Sequence, residues 1–380
     1  MTAAVHSPRV LLISGLFFPD VGGPATHVRK IAEHFSSLGW KVTVLAFGDR
    51  VAKDERYRMV RVSRTLPRIL SWFLFTKLIF LFSLRSDCVY AFDLTSSGLP
   101  AACAARLFGK PFLLRIGGDR LWERAAEGGK RLMSMQTYYE HGLYATDNPF
   151  LFNIMRFVIR SARASVVPNA ILKESYVQYY GADESRIEII KNPFGALRES
   201  ATREEGTFTF LFAGRFVLYK NLSRVIRAFA RVYARHAEAR LVFVGEGSEG
   251  LSLKKEAEVL CVPLTIIPKV EQNKLFELIR LSSVSLAPAL TEFNPNFIME
   301  SLALGKPALI SRGNGLSVEL PDYLQFNPEN ESEVEAVMER MLDKETYEKA
   351  LAFVLSLKVE WRWEDVVKEH EKLIAKIRNI

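Results

Sequence analysis

The chain has 380 residues, 49% of them apolar and 25% charged, with a formal net charge of +8. That length favours two domains, each with its own core, and the composition excludes a low-complexity or fibrous protein. The three cysteines, Cys88, Cys103 and Cys261, are scattered in apolar surroundings without zinc or disulfide spacing, so a reducing compartment is expected.

Residues 1–8 lack the apolar core of a signal peptide, and a cytoplasmic location is expected. "RVLLIS" reads as a short buried strand, followed by the glycine loop "FFPDVGGPAT". The next helix, "HVRKIAEHFSSL", repeats apolar residues at Val28, Ile31, Ala32, Phe35 and Leu38, and Gly39 stops it. After the strand "KVTVLAF" come Arg50, Lys53, Arg56, Arg58, Arg61, Arg64 and Arg68, the last three at helical spacing.

These bases lead into "ILSWFLFTKLIFLFSL", residues 69–84, which is interrupted by Lys77 and falls short of the ~18 residues of a membrane span. It reads as a helix packed on a sheet. The basic stretch, residues 50–68, is either a solvated face or a peripheral contact with an anionic membrane surface, on the inner face if the protein is bacterial. Positive charge suits any polyanion, but no nucleic-acid motif accompanies it, and nucleic acid is not expected as a partner.

"DCVYAF", "PFLLRI", "ASVVP" and "IEIIKNP" read as later strands, with "PAACAARLF" as a helix among them. The pattern then restarts: the strand "FTFLFAG", the helix "LSRVIRAFARVYARH" and the strands "ARLVFVG", "PLTIIP", "VSLAPAL" and "KPALIS". Continuous apolar strands alternating with amphipathic helices mean parallel α/β sheets. Two sets predict two facing Rossmann-like domains, residues 1–195 and 196–357, divided within the polar stretch 192–207. A terminal helix in 358–380 is expected to return to the first domain. Ligands of such sheets bind at the carboxyl ends of the strands, so the loops after each strand and the cleft between the domains are the places to search.

Gly22-Gly23-Pro24 precedes a helix and serves either as a tight turn or as a close approach to an anion. In "GRFVLYKN", which begins at Gly214, Arg215 and Lys220 flank a loop that opens a helix, a setting for a diphosphate or simply two surface bases. Gly245 and Gly247 in "GEGSEG" allow a close turn over a ligand or a plain strand–helix turn. In "TEFNPNFIMESLALGKPALI", Asn294 suits a helix N-cap, Pro295 the first helical position and Gly305 the stop. The N–H groups near Asn296 and Phe297 would then face a phosphate. Glu292, before this helix, and Glu300, inside it, suit hydroxyl groups rather than phosphate. A diphosphate with a diol at each end, a nucleotide sugar, matches this set.

"FFPDVGGPATHV", "GRFVLYKN", "VGEGSE" and "EFNPNFIMESLALGKPAL", in this order over nearly the whole chain, resemble a family 4, group 1 glycosyltransferase of the GT-B fold. The resemblance implies that Arg215 and Lys220 hold the donor diphosphate, with Gly214 and Gly245 beside them. It gives Glu300 the ribose and Glu292 a sugar hydroxyl, and Arg215, Lys220 and Glu292 become the catalytic set. Main chain at Asn296 and Phe297 meets phosphate and sugar, Gly22 and Gly23 approach the phosphate, and the base rests near Lys269 and Val270. It implies a retaining reaction with a glycan or lipid-linked acceptor, without cofactor or metal, and the chain has no Asp-x-Asp pair.

The chain departs from the family in "RIGGDRLWERA", with Gly117 and Gly118 where His-Gly is expected; Arg115 and Asp119 are the polar groups left there. "EFNPN" replaces the commoner Gly-containing loop after the first glutamate. His27 is read as structural or acceptor-side. The rival readings are a nucleotide-sugar epimerase and a non-catalytic nucleotide-sugar-binding partner in a glycan assembly complex.

Overall fold

The computed structural model describes residues 7–18, 23–49, 56–194, 206–358 and 361–378. In chain order the elements begin with β1 (Arg9–Ser14), α1 (Gly23–Ser37), β2 (Lys41–Phe47), β3 (Arg58–Val62), α2 (Arg68–Leu84), β4 (Cys88–Ala91), α3 (Gly98–Leu107) and β5 (Phe112–Arg115). Then come α4 (Arg120–Glu127), α5 (Met135–Glu140), α6 (Leu143–Asp147), α7 (Pro149–Ser161), β6 (Ala164–Val167), α8 (Ala170–Gln178) and β7 (Ile187–Ile189). The second series is β8 (Phe208–Ala213), α9 (Leu222–Tyr233), β9 (Ala239–Val244), α10 (Gly250–Val259), β10 (Leu264–Ile267), α11 (Gln272–Leu281), β11 (Val284–Ala287), α12 (Asn296–Ala303) and β12 (Ala308–Ser311). It ends with β13 (Gln325–Phe326), α13 (Glu331–Arg340), α14 (Lys344–Ser356) and α15 (Trp363–Arg378).

Two compact units result: residues 1–120, 148–192 and 363–380, and residues 121–147 and 193–362. The first holds a parallel sheet in the order β3-β2-β1-β4-β5-β6-β7, with Leu12 paired to Val44 on one side and Tyr90 on the other. The second holds a parallel sheet in the order β10-β9-β8-β11-β12-β13. Both are Rossmann-like. β4, β5, β6, β11 and β12 are buried along their whole length, which is why each reads as an apolar run.

α15 belongs to the first unit. It buries Val366, Val367, His370, Leu373, Ile374 and Ile377 and packs on α1, where His34 Nε2 meets Glu371 at 2.9 Å. Residues 121–147 pack with the second unit, although their place in the chain assigned them to the first. The cause is visible in Trp122: its indole N–H donates to the Met133 carbonyl, and its buried ring meets Tyr219 and Phe293 at 5.5 and 5.7 Å between centroids. The Met133 bond closes the segment on itself.

The basic stretch also differs from its reading. Arg58 and Arg61 lie on β3, an edge strand whose "RMVRV" shows no apolar run, and only Arg68 begins the helix. Residues 50–55 lie outside the described residues. α2 is not buried all round. It packs Phe75, Ile79 and Phe82 inward and leaves Ile69, Phe73, Leu81 and Leu84 exposed. Among the described residues no helix is long and apolar enough to cross a membrane.

Candidate functional site

In the second sheet the order of connection reverses between β8 and β11, and the crevice at such a switch, beyond the carboxyl ends of the strands, is where open α/β sheets bind ligands. The loops after β8 and β11 are tied together across it. Leu290 N–H donates to the Tyr219 carbonyl at 2.9 Å, and Asn221 Nδ2 donates to the carbonyls of Pro288 and Pro328. Asn221 holds a left-handed backbone, φ 60°, at the entry to α9, a conformation asparagine tolerates better than most side chains.

These loops bring Lys220 and Glu292 into an ion pair between Nζ and Oε2, with only 14% and 16% of the side chains exposed. Arg215 is more open: its Nη2 donates to the Tyr219 hydroxyl at 2.7 Å, and its Nη1 lies 3.6 Å from Glu127 Oε1 on α4. Burial raises the Tyr219 hydroxyl pKa well above its ordinary range, so Tyr219 stays a neutral hydrogen-bond partner. Behind them Met135 N–H donates to Thr291 Oγ1 at 2.8 Å, and Trp122 wedges Tyr219 against Phe293. Glu127, Trp122 and Tyr219 are site residues that the sequence reading missed. Tyr219 sits inside a stretch singled out for its charges, and the other two lie ninety residues or so earlier in the chain, where nothing local marks them as neighbours.

Gly245 and Gly247 have a structural reason that needs no ligand. A Cβ on Gly245 would lie 1.9 Å from the Gly214 carbonyl oxygen, and one on Gly247 2.2 Å from that of Phe216. The loop after β9 presses main chain to main chain on the loop after β8, with Phe216 N–H donating to the Glu246 carbonyl at 2.9 Å. Gly214 itself is crowded by the Phe212 ring, 3.0 Å from where its Cβ would be. Gly22 lies outside the described residues; Gly23 opens α1 in the first unit, and a Cβ there would meet nothing within 4 Å.

α12 starts one residue later than expected. Pro295 is the residue before the helix, with φ −76° and ψ 58°, and Asn296 N–H donates back to the Asn294 carbonyl at 2.8 Å. This is an inverse γ-turn. The Asn296 N–H is therefore spent within the loop, and Met299 makes the first helical bond, to Pro295. That leaves the N–H groups of Phe297 and Ile298 as the first-turn donors without an acceptor in the helix. The Phe297 ring is packed into the core beside Phe212, so only its main chain is available to a ligand.

Glu300 sits on α12 beside Gln272, the first residue of α11; burial pushes its carboxyl up to about 7, opposed by a hydrogen bond with Gln272. Glu292 is also held by its main chain, whose carbonyl accepts from Gly315 N–H at 2.7 Å. Lys269 and Val270 follow β10 at the same edge, Lys269 exposed and Val270 packed beside Leu211 and Ile279. Among the described residues no group of three or more His, Cys, Asp or Glu side chains is placed to hold a metal ion.

In the first unit Arg115 and Asp119 are buried. Asp119 Oδ2 accepts from the Tyr180 hydroxyl at 3.3 Å, while Arg115 donates to Asn192 Oδ1 at 2.9 Å and lies 2.6 Å from His27 Nε2.

The comparisons with known proteins agree with this architecture. Residues 21–194 match the family described as Glycosyltransferase Family 4, and residues 194–353 match Glycosyl transferases group 1. The chain belongs to this family of glycosyltransferases. It is 21% identical, over 96% of its length and 80% of the other, to the phosphatidylinositol N-acetylglucosaminyltransferase gpi3 subunit of Schizosaccharomyces pombe. It is 32% identical to the D-inositol 3-phosphate glycosyltransferase of Pseudarthrobacter chlorophenolicus over 37% of each chain. Among solved structures it resembles Anabaena HepE in complex with UDP and glucose (TM-score 0.73, 12% identity, 97% and 100% of the two chains). The sucrose-phosphate synthase of Thermosynechococcus elongatus is equally similar (TM-score 0.73, 15% identity, 97% and 99%). The fold is GT-B, and the chain is a transferase.

Proposed function

We propose that the protein is a retaining, metal-independent glycosyltransferase whose donor is a nucleotide-diphosphate sugar and whose acceptor is a lipid-linked or polysaccharide glycan. The observation that carries this reading is the Lys220–Glu292 pair at the sheet's switch point, with Arg215 beside it. Without donor the lysine is neutralised by its own glutamate. A diphosphate arriving at Lys220 and Arg215 takes that place, and Glu292 is released to accept a hydrogen bond from a sugar hydroxyl. Glu300, one helix turn and more from the phosphate end of α12, is the acceptor for the ribose hydroxyls.

As the bond from the anomeric carbon to the diphosphate oxygen breaks, charge grows on that oxygen. Arg215, Lys220 and the first-turn N–H groups of α12 stabilise it. The acceptor oxygen forms its bond on the face just vacated and passes its proton to the departing phosphate oxygen. No side-chain base is required, which fits a loop with Gly117 and Gly118 in place of a histidine.

The outward face of α2 supports a peripheral contact with an anionic membrane. Ile69, Phe73, Leu81 and Leu84 present apolar surface, Lys77 lies among them, and Arg64 and Arg68 stand exposed at the helix entry. Binding to anionic but not to neutral vesicles, weakened by salt and by Phe73→Glu, is the expected result; equal binding to both vesicle types would remove this part of the reading.

The first test of the function is thermal stabilisation by UDP, GDP, ADP, CMP and dTDP, with and without EDTA. One diphosphate is expected to raise the melting temperature, insensitively to EDTA and not in Glu300→Ala. Stabilisation with no transfer to any acceptor would favour the binding partner, and release of an epimerised sugar without acceptor the epimerase.

A further inference from the structure

Among the described residues the first unit contains a cationic centre with no anion. Arg115 closes β5 and is 6% exposed; Tyr90 on β4 and His370 on α15 are fully buried. Arg115 Nη2 donates to Asn192 Oδ1 and to His27 Nε2, while its Nη1 has no partner among the described residues. The Tyr90 hydroxyl and His370 Nε2 are also buried without a partner among the described residues. Tyr90 and His370 are neighbours, ring centroids 6.0 Å apart, and both feel the Arg115 charge, which helps hold the buried His370 near 3.

The hydrogen-bond roles of these atoms are fixed. His27 Nδ1 bonds the Gly23 carbonyl and His370 Nδ1 the Val366 carbonyl, so each Nδ1 carries the proton and each Nε2 is an acceptor. Burial drives His27 well below its ordinary value, with Arg115 as the next cause, so it stays neutral and cannot supply a counter-charge either. Among the described residues no carboxylate appears in the hydrogen bonds of Arg115 or the charges acting on it. A buried guanidinium without a counter-ion is costly, so something that offsets the cost is expected to bind there.

We propose that Arg115, Tyr90 and His370 form a buried site for a phosphate monoester, carried by the acceptor. Two guanidinium hydrogens and a phenol donate to the anionic oxygens, and the imidazole Nε2 accepts from the remaining P–OH. A carboxylate would leave that nitrogen unpaired, and a diester has no proton to give it. That the phosphate belongs to the acceptor rests on the transferase reading; the anion site itself does not.

The test uses the full chain and inorganic phosphate, followed by the imidazole ¹⁵N signals of His27 and His370. Saturable shifts are expected, about tenfold weaker in affinity in Tyr90→Phe, which keeps the ring and loses only the hydroxyl. They should be absent in Arg115→Met, which should melt at or above the wild-type temperature without phosphate. Glycerol 3-phosphate and phosphatidic acid vesicles are the two arms that separate a soluble from a lipid source, since both present the monoester. Buried water satisfying the same atoms would leave all three probes without effect and would overturn the proposal, as would shifts that persist in Arg115→Met. Nucleoside diphosphate binding, measured on the same Arg115→Met protein, should be unchanged; its absence in the wild type would count against the transferase reading and leave the anion site standing.

Discussion

The cations of the second unit and Arg115 of the first meet their surroundings in opposite ways. Lys220 is paired with Glu292, Arg215 lies near Glu127, and Arg227 and Arg231 on α9, with Arg235 in the turn just after it, form a ladder with Glu331, Glu335 and Glu339 on α13. All of these have water or a carboxylate within reach. Arg115 is buried, and two neutral side chains are its hydrogen-bond partners. A cation matched by its own glutamate can exchange that partner for a substrate anion, so it serves a step that must repeat. A buried cation left unmatched is poised for one anion and is costly when empty. The difference separates a candidate turnover site from a candidate recognition site.

The largest expected effect follows from removing the exchangeable cations. Lys220→Ala and Arg215→Ala should each lower kcat by ~10²–10³-fold while KM for the donor changes little, because their charge is needed most as the diphosphate departs. Steady-state kinetics separates this from a binding role: a rise in KM at unchanged kcat would mean that the bases only hold the ground state. Glu292→Gln sharpens the same point. It leaves Lys220 without its partner, so binding of the bare nucleoside diphosphate should tighten by about tenfold while transfer falls. Isothermal titration against turnover reads both, and weaker binding would show that the pair does not exchange.

Much of this arrangement was legible in the sequence because it is local. Apolar runs marked the buried strands, and the order of "GRFVLYKN" and "EFNPNFIMES" placed Arg215, Lys220 and Glu292 in loops at strand ends and Glu300 in the helix that follows. What escaped was of two kinds. β3 is an edge strand, paired on one side only, so it carries no apolar run, and its Arg61 looked like part of a helix. Trp122, Glu127 and Asn192 act on residues far away in the chain, and no local pattern announces a partner seventy or more residues distant. The start of α12 slipped by one residue because Asn294 offered cap chemistry, yet the turn its carbonyl makes with the Asn296 N–H delays the helix.

Glu300 supplies the next effect in size, and its sign is opposite to that of a paired carboxylate. Its carboxyl lies at about 7 when folded against 4.5 as a free side chain, so the folded chain holds the proton more tightly. Stability is then greatest below pH 4.5 as far as this group is concerned. It declines as the pH rises through 7, by up to ~3 kcal/mol from a shift of this size. Glu300→Gln should remove that decline, and its melting temperature relative to wild type should rise between pH 5 and 8. Nucleotide binding should show the mirror image. Ribose hydroxyls need the ionised carboxylate, so affinity increases from pH 6 to 8 in the wild type and stays flat in Glu300→Gln.

The smallest effect is expected from the ladder, and it tests whether pairing alone defines the comparison. Arg227 and Arg231 lie four residues apart on α9, Arg235 follows at the same spacing in the turn after it, and Glu331, Glu335 and Glu339 repeat every four residues along α13, so one row faces the other. The bonds are short, but the arginine side chains are 41–46% exposed, and water screens what they gain. Arg231→Ala should therefore cost no more than about 1 kcal/mol by urea denaturation, and the loss should shrink in high salt. Arg115→Met removes a cation whose hydrogen-bond partners are both neutral and is expected to stabilise the empty protein. If Arg231→Ala instead proved the more stabilising of the two, burial without a counter-ion could not be what distinguishes Arg115.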